Sequence, residues 1–397
     1  MPSTTLREWF GMRIETLLLH NGCEFDQQTG ASSVPIYQAS TFHQFDVDNP
    51  GQYDYTRSGN PTRQALEDTI AKLEGGCRGF AFASGMAAIS TVFLLLSKGD
   101  HLIVSQDVYG GTYRVLTQVL NRFGIDSTFV DTTDSEAIIK ALQPNTRALY
   151  VETPSNPTLK VTDLGLVAKI AKEHKLLSIV DNTFLTPYYQ QPLAHGIDIV
   201  VHSATKFLGG HSDVVAGLVA VKETSLADQI KTLQNAFGAV LGVQDSWLIL
   251  RGIKTLQARL DVSTKNAGIL AEWLQDHKGI DHVYYTGLPD HDGHHLQNKQ
   301  ASGHGAVLSF DVGSGVQAKQ LLQKIRLPLV AVSLGAVESI LSYPVLMSHA
   351  AMPQEVRRKH GITDGLLRFS VGLENVEDLI DDLSQALDSK VSFAVAR

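Results

Sequence analysis

Short apolar runs alternate with helix-period stretches through the middle of this chain. Phe80 to Ala83, His101 to Ser105, Ser127 to Val130, Ala148 to Glu152, Leu177 to Asp181, Ile197 to His202 and Leu218 to Val221 are rich in apolar residues. Runs of this length read as strands, several of them buried on both faces. Between them the period changes. Thr62 to Leu73 carries Ala65, Leu66, Ile70 and Leu73 on one helical face, with Asn60 as cap and Pro61 at the first helical position. A small-residue helix follows Ser84-Gly85-Met86 through Leu96, and Ser135 to Leu142 and Leu164 to His174 also read as helices. Strands alternating with helices predict an α/β fold with a mostly parallel sheet sandwiched by helices.

From about Asp245 the pattern differs. Trp247 to Glu272 reads as one long helix, followed by strands at His282 to Tyr285, Ala306 to Phe310 and Leu366 to Val371. Helices are expected near Val316 to Lys324 and Val376 to Leu387, which makes a smaller α+β C-terminal domain. The first fifty residues hold no long periodic element beyond a short helix at Arg13 to His20. Such an arm is stable only when it packs on the main body or on a partner subunit. The partition expected is an arm over 1–55, a first domain over 56–245 and a second over 246–397.

Composition narrows the function. The chain has 397 residues with 43% apolar and 19% charged, an ordinary globular balance. A net charge of -8 gives no electrostatic footprint for nucleic acid or an anionic membrane. No apolar run reaches a membrane span, and Met1 to Gly11 lacks the layout of a signal peptide. Cys23 and Cys77 offer neither a disulfide framework nor metal-ligand spacing. The expected location is the cytoplasm. His291, His294 and His295 cluster without a completing carboxylate or cysteine pattern, so a solvated loop is favoured over a metal site.

The chemistry gathers at strand ends, where ligands bind in parallel sheets. Ser203-Ala204-Thr205-Lys206 follows one apolar run and Asp181 ends another. A lysine for an imine, an aspartate for a pyridinium nitrogen and hydroxyls for a phosphate would make a site for pyridoxal 5'-phosphate (PLP). Backbone N–H groups of Gly85 and Met86 at a helix start suit the phosphate, as does Arg57. Tyr109 after a strand can stack on a planar ring, or it can merely cap the sheet. Asn156, between Pro154 and Pro157, can donate to a phenolate. Arg368 inside an apolar strand is costly unless paired, either in an internal salt bridge or as a clamp on a substrate carboxylate.

The chain also resembles the PLP enzymes of Cys/Met metabolism, the fold type I cystathionine lyase and synthase group. The resemblance runs from about Thr16 to Leu387. It rests on Tyr55 to Arg63, Ser84-Gly85-Met86, Asp107 to Thr112, Glu152 to Pro157, Val180 to Thr183, His202 to Lys206, Ser333-Leu334-Gly335 and Arg368 to Gly372. It implies a seven-stranded-type sheet, and catalytic roles for Lys206, Tyr109 and Tyr55. It also implies that Ser333, Asn156 and Arg368 hold the substrate α-carboxylate, with Val332 beside them. Tyr55 and Arg57 would reach the site of a neighbouring subunit in a homotetramer built of dimers. The implied reaction is cleavage of a carbon–sulfur bond of L-cystathionine, at Cβ ahead of Cγ. Alternatives within the family are γ-elimination, methionine γ-cleavage, and γ-synthesis or sulfhydrylation from an O-acyl homoserine. The residue before Ser333 is often glutamate in γ-lyases and γ-synthases, whereas here it is Val332. Methionine γ-lyases are also apolar there, but tend to carry a cysteine where this chain has Gly111.

Overall fold

The structure, a computed structural model, describes residues 12–21, 25–26, 28–350 and 352–388. Seven strands form the first sheet: β1 (Arg78–Phe82), β2 (His101–Ser105), β3 (Asp126–Val130), β4 (Thr146–Glu152), β5 (Leu177–Asp181), β6 (Ile199–Ser203) and β7 (Gly217–Val221). Their order is β1-β7-β6-β5-β4-β2-β3. The run from β6 to β3 is parallel, and β7 pairs antiparallel with β6 and β1. Chain progression reverses between β2 and β4. That topological switch opens a crevice beyond the carboxyl ends of the strands.

Both faces of this sheet are dry, which explains the unbroken apolar runs. Side chains alternate sides along a strand. Leu102 and Val104 of β2 therefore join Ile89, Phe93 and Tyr150 on one face. Ile103 joins Leu149, Val180, Leu164, Val167 and Ile170 on the other. The first face is covered by helix Gly85–Phe93 and the second by helix Leu164–His174. Helix Pro61–Glu74 starts as its sequence predicts, with the Thr62 N–H donating to Asn60 Oδ1 at 2.9 Å.

A second sheet follows, built of β8 (His282–Tyr284), β9 (Val307–Asp311), β10 (Leu329–Val330), β11 (Ile340–Ser342) and β12 (Leu366–Ser370), in the order β10-β11-β12-β9-β8. Helices Leu256–Asp276 and Val376–Asp388 pack on it through Leu270, Leu274, Leu379 and Leu383. β12 sits centrally and carries Arg368.

Several elements depart from the sequence reading. The single helix expected from Trp247 to Glu272 is two, Val243–Ile253 and Leu256–Asp276. The buried Arg259 guanidinium donates to the Gly252 and Phe207 carbonyls, both at 2.7 Å, and so takes a backbone acceptor that a continuous helix would need. Helix Thr224–Phe237 was not expected, because its buried face is only Ala227, Ile230 and Gln234. β10 and β11 are too short to give a period. The helix expected at Arg13 to His20 is one turn, Ile14–Leu17. Cys23 lies outside the described residues.

Gly217 opens β7 under the turn at Ser84. A Cβ there would lie 2.2 Å from the Ser84 carbonyl oxygen and 2.9 Å from Ala88 Cβ. Gly217→Ala is expected to cost about 1–3 kcal/mol through overpacking, seen as a lower denaturation midpoint. An unchanged midpoint would contradict that packing.

Candidate active site

Ser84, Tyr109, Asn156, Asp181 and Lys206 all follow or close strands, and the fold brings them into one cleft of about 500 Å³. Gly85, Met86, Ser203, Thr205, Val332, Ser333 and Arg368 line the same cleft. Its floor is the carboxyl edge of the first sheet. Its wall is the segment 332–334 together with β12.

Lys206 stands in the turn after β6, and its Nζ donates to Ser333 Oγ at 2.6 Å. Burial, with the Arg368 guanidinium adding to it, brings the ammonium down to about 8. Ser333 has φ +86°, a backbone region that non-glycine residues rarely occupy. Two residues on, Gly335 has φ +80°, and a Cβ there would lie 2.7 Å from the Phe207 nitrogen. The 333–335 segment is thus pressed onto the Lys206–Phe207 backbone.

Arg368 is buried and donates to Asn156 Oδ1 (3.0 Å), the Ser333 carbonyl (2.6 Å) and Ser342 Oγ (3.1 Å). Its Nε has no partner among the described residues, and no described carboxylate lies within ion-pair distance. The internal salt bridge that sequence left open is therefore not formed. Burial lowers this guanidinium to about 10, with the Glu152 charge opposing. A buried cation on neutral oxygens is a ready receptor for a carboxylate.

Asp181 ends β5. Its Oδ1 accepts from the Thr183 N–H (3.0 Å) and Oγ1 (2.5 Å), and its Oδ2 from the Tyr150 hydroxyl (3.2 Å). Burial raises its pKa, and the Thr183 bonds pull it back. At the start of helix Gly85–Phe93, Ser84 Oγ accepts from the Ala87 N–H at 3.0 Å, and the Gly85 and Met86 N–H groups meet no acceptor among the described residues. A Cβ on Gly85 would sit 2.9 Å from Ser203 Oγ, so the glycine leaves an anion-sized cradle beside a hydroxyl. The Thr205 hydroxyl bridges the Ala216 carbonyl (3.2 Å) and N–H (3.0 Å). The Tyr109 N–H donates to Glu152 Oε2 at 2.9 Å, and its side chain stays partly exposed at the cleft.

Two predicted residues do not join the cleft. Arg57 donates to the Asn235 carbonyl (2.6 Å) and Oδ1 (2.8 Å), and its guanidinium lies 5.6 Å from the Tyr55 ring centre. Tyr55 is 45% exposed. The expected histidine loop is a turn only as far as Gly293: His291 Nδ1 accepts from the Gly293 N–H there, whereas His294 and His295 open helix His294–Gln300, with His294 Nδ1 meeting the Thr286 carbonyl.

Sequence reasoning assigned no role to Glu152, Thr183, Ser342 and His349. Thr183 had a signal, since a hydroxyl two residues after an aspartate commonly closes a turn on it. Glu152 was visible as a carboxylate closing an apolar strand. It is buried, and burial beside Asp181 holds its carboxyl well above the usual range. Ser342 and His349 had no local signal. Burial, with Arg368 adding, pushes His349 down to about 4, so a neutral imidazole backs the guanidinium.

The profile of the Cys/Met metabolism PLP-dependent enzymes matches residues 15–388. The chain belongs to that family. It is 60% identical over 374 residues to cystathionine beta-lyase MetC of Bacillus subtilis (strain 168), covering 94% of this chain and 96% of that protein. It is 53% identical over 378 residues to the cystathionine gamma-lyase of the same organism, covering 95% of this chain and 100% of that one. Among solved structures, cystathionine gamma-lyase from Lactobacillus plantarum complexed with L-serine superposes with a TM-score of 0.93 at 48% identity, over 94% of this chain and 98% of that one. The fold is that of the family's fold type I members, and the cofactor is pyridoxal phosphate. The cleft fits it: an open helix N-terminus for phosphate, a buried carboxylate for a ring cation, and a lysine of lowered basicity all line it.

The lysine sets a pH dependence. Its amine is uncharged above about 8, so the rate at which cofactor-free enzyme captures added PLP is expected to rise through a midpoint near pH 8. A midpoint near that of free lysine, about 10.4, would show that burial and Arg368 do not act on it.

Proposed function

We propose that this protein is a PLP-dependent carbon–sulfur lyase that cleaves L-cystathionine by β-elimination, releasing homocysteine, pyruvate and ammonia. The observation that carries the reading is the cleft itself. One lysine of lowered basicity shares it with a buried carboxylate and with a buried arginine that has no carboxylate of its own among the described residues. The bound cofactor supplies an aldehyde and an electron sink that acidifies the substrate Cα–H. Asp181 would keep the pyridine nitrogen protonated. Gly85, Met86, Ser203 and Thr205 would hold the phosphate, and Tyr109 would stack on the ring. Arg368, Asn156 and Ser333 fix the α-carboxylate, which orients the Cα–H toward Lys206. Lys206 takes the Cα proton. The electron pair of the Cβ–S bond leaves with sulfur as homocysteine thiolate, and the three-carbon remainder hydrolyses to pyruvate and ammonia.

Val332 supports cleavage at Cβ. It is 63% exposed at the cleft wall and offers no acid or base for the second deprotonation, at Cβ, that γ-elimination requires. The greater identity to the named beta-lyase than to the named gamma-lyase points the same way.

We further propose a cytoplasmic homotetramer built of dimers, in which Tyr55 and Arg57 serve a neighbour's cleft. Neither lines the cleft of its own chain, and Tyr55 stays exposed. The exposed free thiol of Cys77 suits a reducing compartment.

The purified enzyme with L-cystathionine is expected to release pyruvate as the dominant keto acid, and Lys206→Ala to lose at least about a thousandfold in kcat, as removal of an essential nucleophile and base does. Dominant 2-oxobutyrate would overturn the β assignment and leave a γ-lyase.

A further inference from the structure

Two segments that carry cleft residues meet again outside the cleft at one ammonium, and a third touches that ammonium's carboxylate partner. Lys160 follows Asn156 in the same loop. Its N–H donates to Ser155 Oγ at 3.2 Å, and its carbonyl accepts from the Ser155 N–H at 2.9 Å. These two bonds pin the base of the loop that presents Asn156 to Arg368. The Lys160 Nζ then reaches Asp107 Oδ2 at 3.1 Å and Asp131 Oδ2 at 3.2 Å.

Asp107 stands two residues before Tyr109. Its carboxylate is buried, and among the described residues its oxygens meet only ion-pair partners. One is Lys160; the other is His360, whose Nδ1 lies 3.4 Å from Oδ1. His360 belongs to the segment that leads into β12 and so to Arg368. Asp131, just past β3, is already served by the Thr133 N–H (3.1 Å) and hydroxyl (2.6 Å) and by Gln106 Nε2 (3.1 Å). Asp107 has no such help. Burial disfavours a charge on His360, which leaves Lys160 as the standing counter-charge. Lys160 does not line the cleft.

We infer that Lys160 is a positioning residue for the reaction: its ammonium ties the Tyr109 segment to the Asn156 loop, and through Asp107 and His360 the approach to Arg368 joins the same frame around Lys206. Without it the buried Asp107 carboxylate must move toward water or take up a proton, and Tyr109 moves with it. A shift of about 1 Å in such groups costs about a hundredfold in rate.

The inference rests on the reading that the cofactor lies against Tyr109 and Asn156. The test compares holoenzymes carrying Lys160→Met, Lys160→Arg and the double change Asp107→Asn with Lys160→Met. The double variant leaves no stranded carboxylate, and so stays informative where the single one fails to fold. Three readouts are taken on each: kcat and KM, the visible circular dichroism of bound cofactor, and the thermal midpoint. Lys160→Met and the double variant are expected to bind PLP with an altered visible signal and to lose about a hundredfold in kcat, with a smaller change in KM. Lys160→Arg is expected to keep kcat within about tenfold of wild type. A wild-type visible signal and a kcat within about threefold of wild type in either methionine variant, whatever the thermal midpoint, would overturn the positioning role. A wild-type chain that shows no visible cofactor signal would instead overturn the cofactor reading on which that role stands.

Discussion

The site depends on two cations held close together with no carboxylate between them. Lys206 and Arg368 come from different sheets and meet across Ser333, whose hydroxyl accepts from one and whose carbonyl accepts from the other. Burying like charges side by side is unfavourable, and the protein meets that cost in two ways. Lys206 gives up basicity, and Arg368 is ringed by neutral oxygens rather than neutralised. Both responses are useful chemically. A lysine that is easily uncharged is a nucleophile and a base, and an arginine without its own carboxylate is a receptor for one. The strained backbone at Ser333 belongs to the same constraint, because it presents hydroxyl and carbonyl to the two cations at once.

The rest of the fold places that pair. The switch between β2 and β4 opens the crevice, and dry packing on both faces fixes the strand ends from which Tyr109, Asn156, Asp181 and Lys206 project. The second sheet brings one central strand, β12, against the crevice. Acidic side chains are kept to the floor, where burial raises both of their carboxyls above the usual range. Among the described residues, Asp181 and Glu152 are the two carboxylates that line the cleft, each bonded to donors within the first sheet's own loops. The cleft thus runs from a carboxylate floor to a cationic wall, which suits a cofactor cation at one end and a substrate anion at the other.

Much of this was legible in the sequence, for a physical reason. Strands buried on both faces write themselves as apolar runs, and residues just past such runs share one edge, so Ser84, Tyr109, Asn156, Asp181 and Lys206 could be gathered without coordinates. Arg368 was conspicuous because a lone charge in an apolar strand needs an explanation. What stayed hidden was long-range. Ser342 and His349 bear on the cleft through Arg368, and nothing in their own neighbourhoods says so. The break at Lys254–Thr255 depends on a guanidinium that also reaches back to Phe207, a contact no helical period encodes. Helix Thr224–Phe237 buries too narrow a face to announce itself. The cluster of Lys160, Asp107 and His360 joins residues from three separate stretches, and only folding sets them side by side.

The central claim is that Lys206 is the lysine that holds the cofactor. Reduction of the holoenzyme with borohydride, followed by proteolysis and mass spectrometry of the peptides, tests it directly. The account predicts a phosphopyridoxyl group on the peptide containing Lys206 and on no other lysine. A label at another lysine, with Lys206 unmodified, would contradict it.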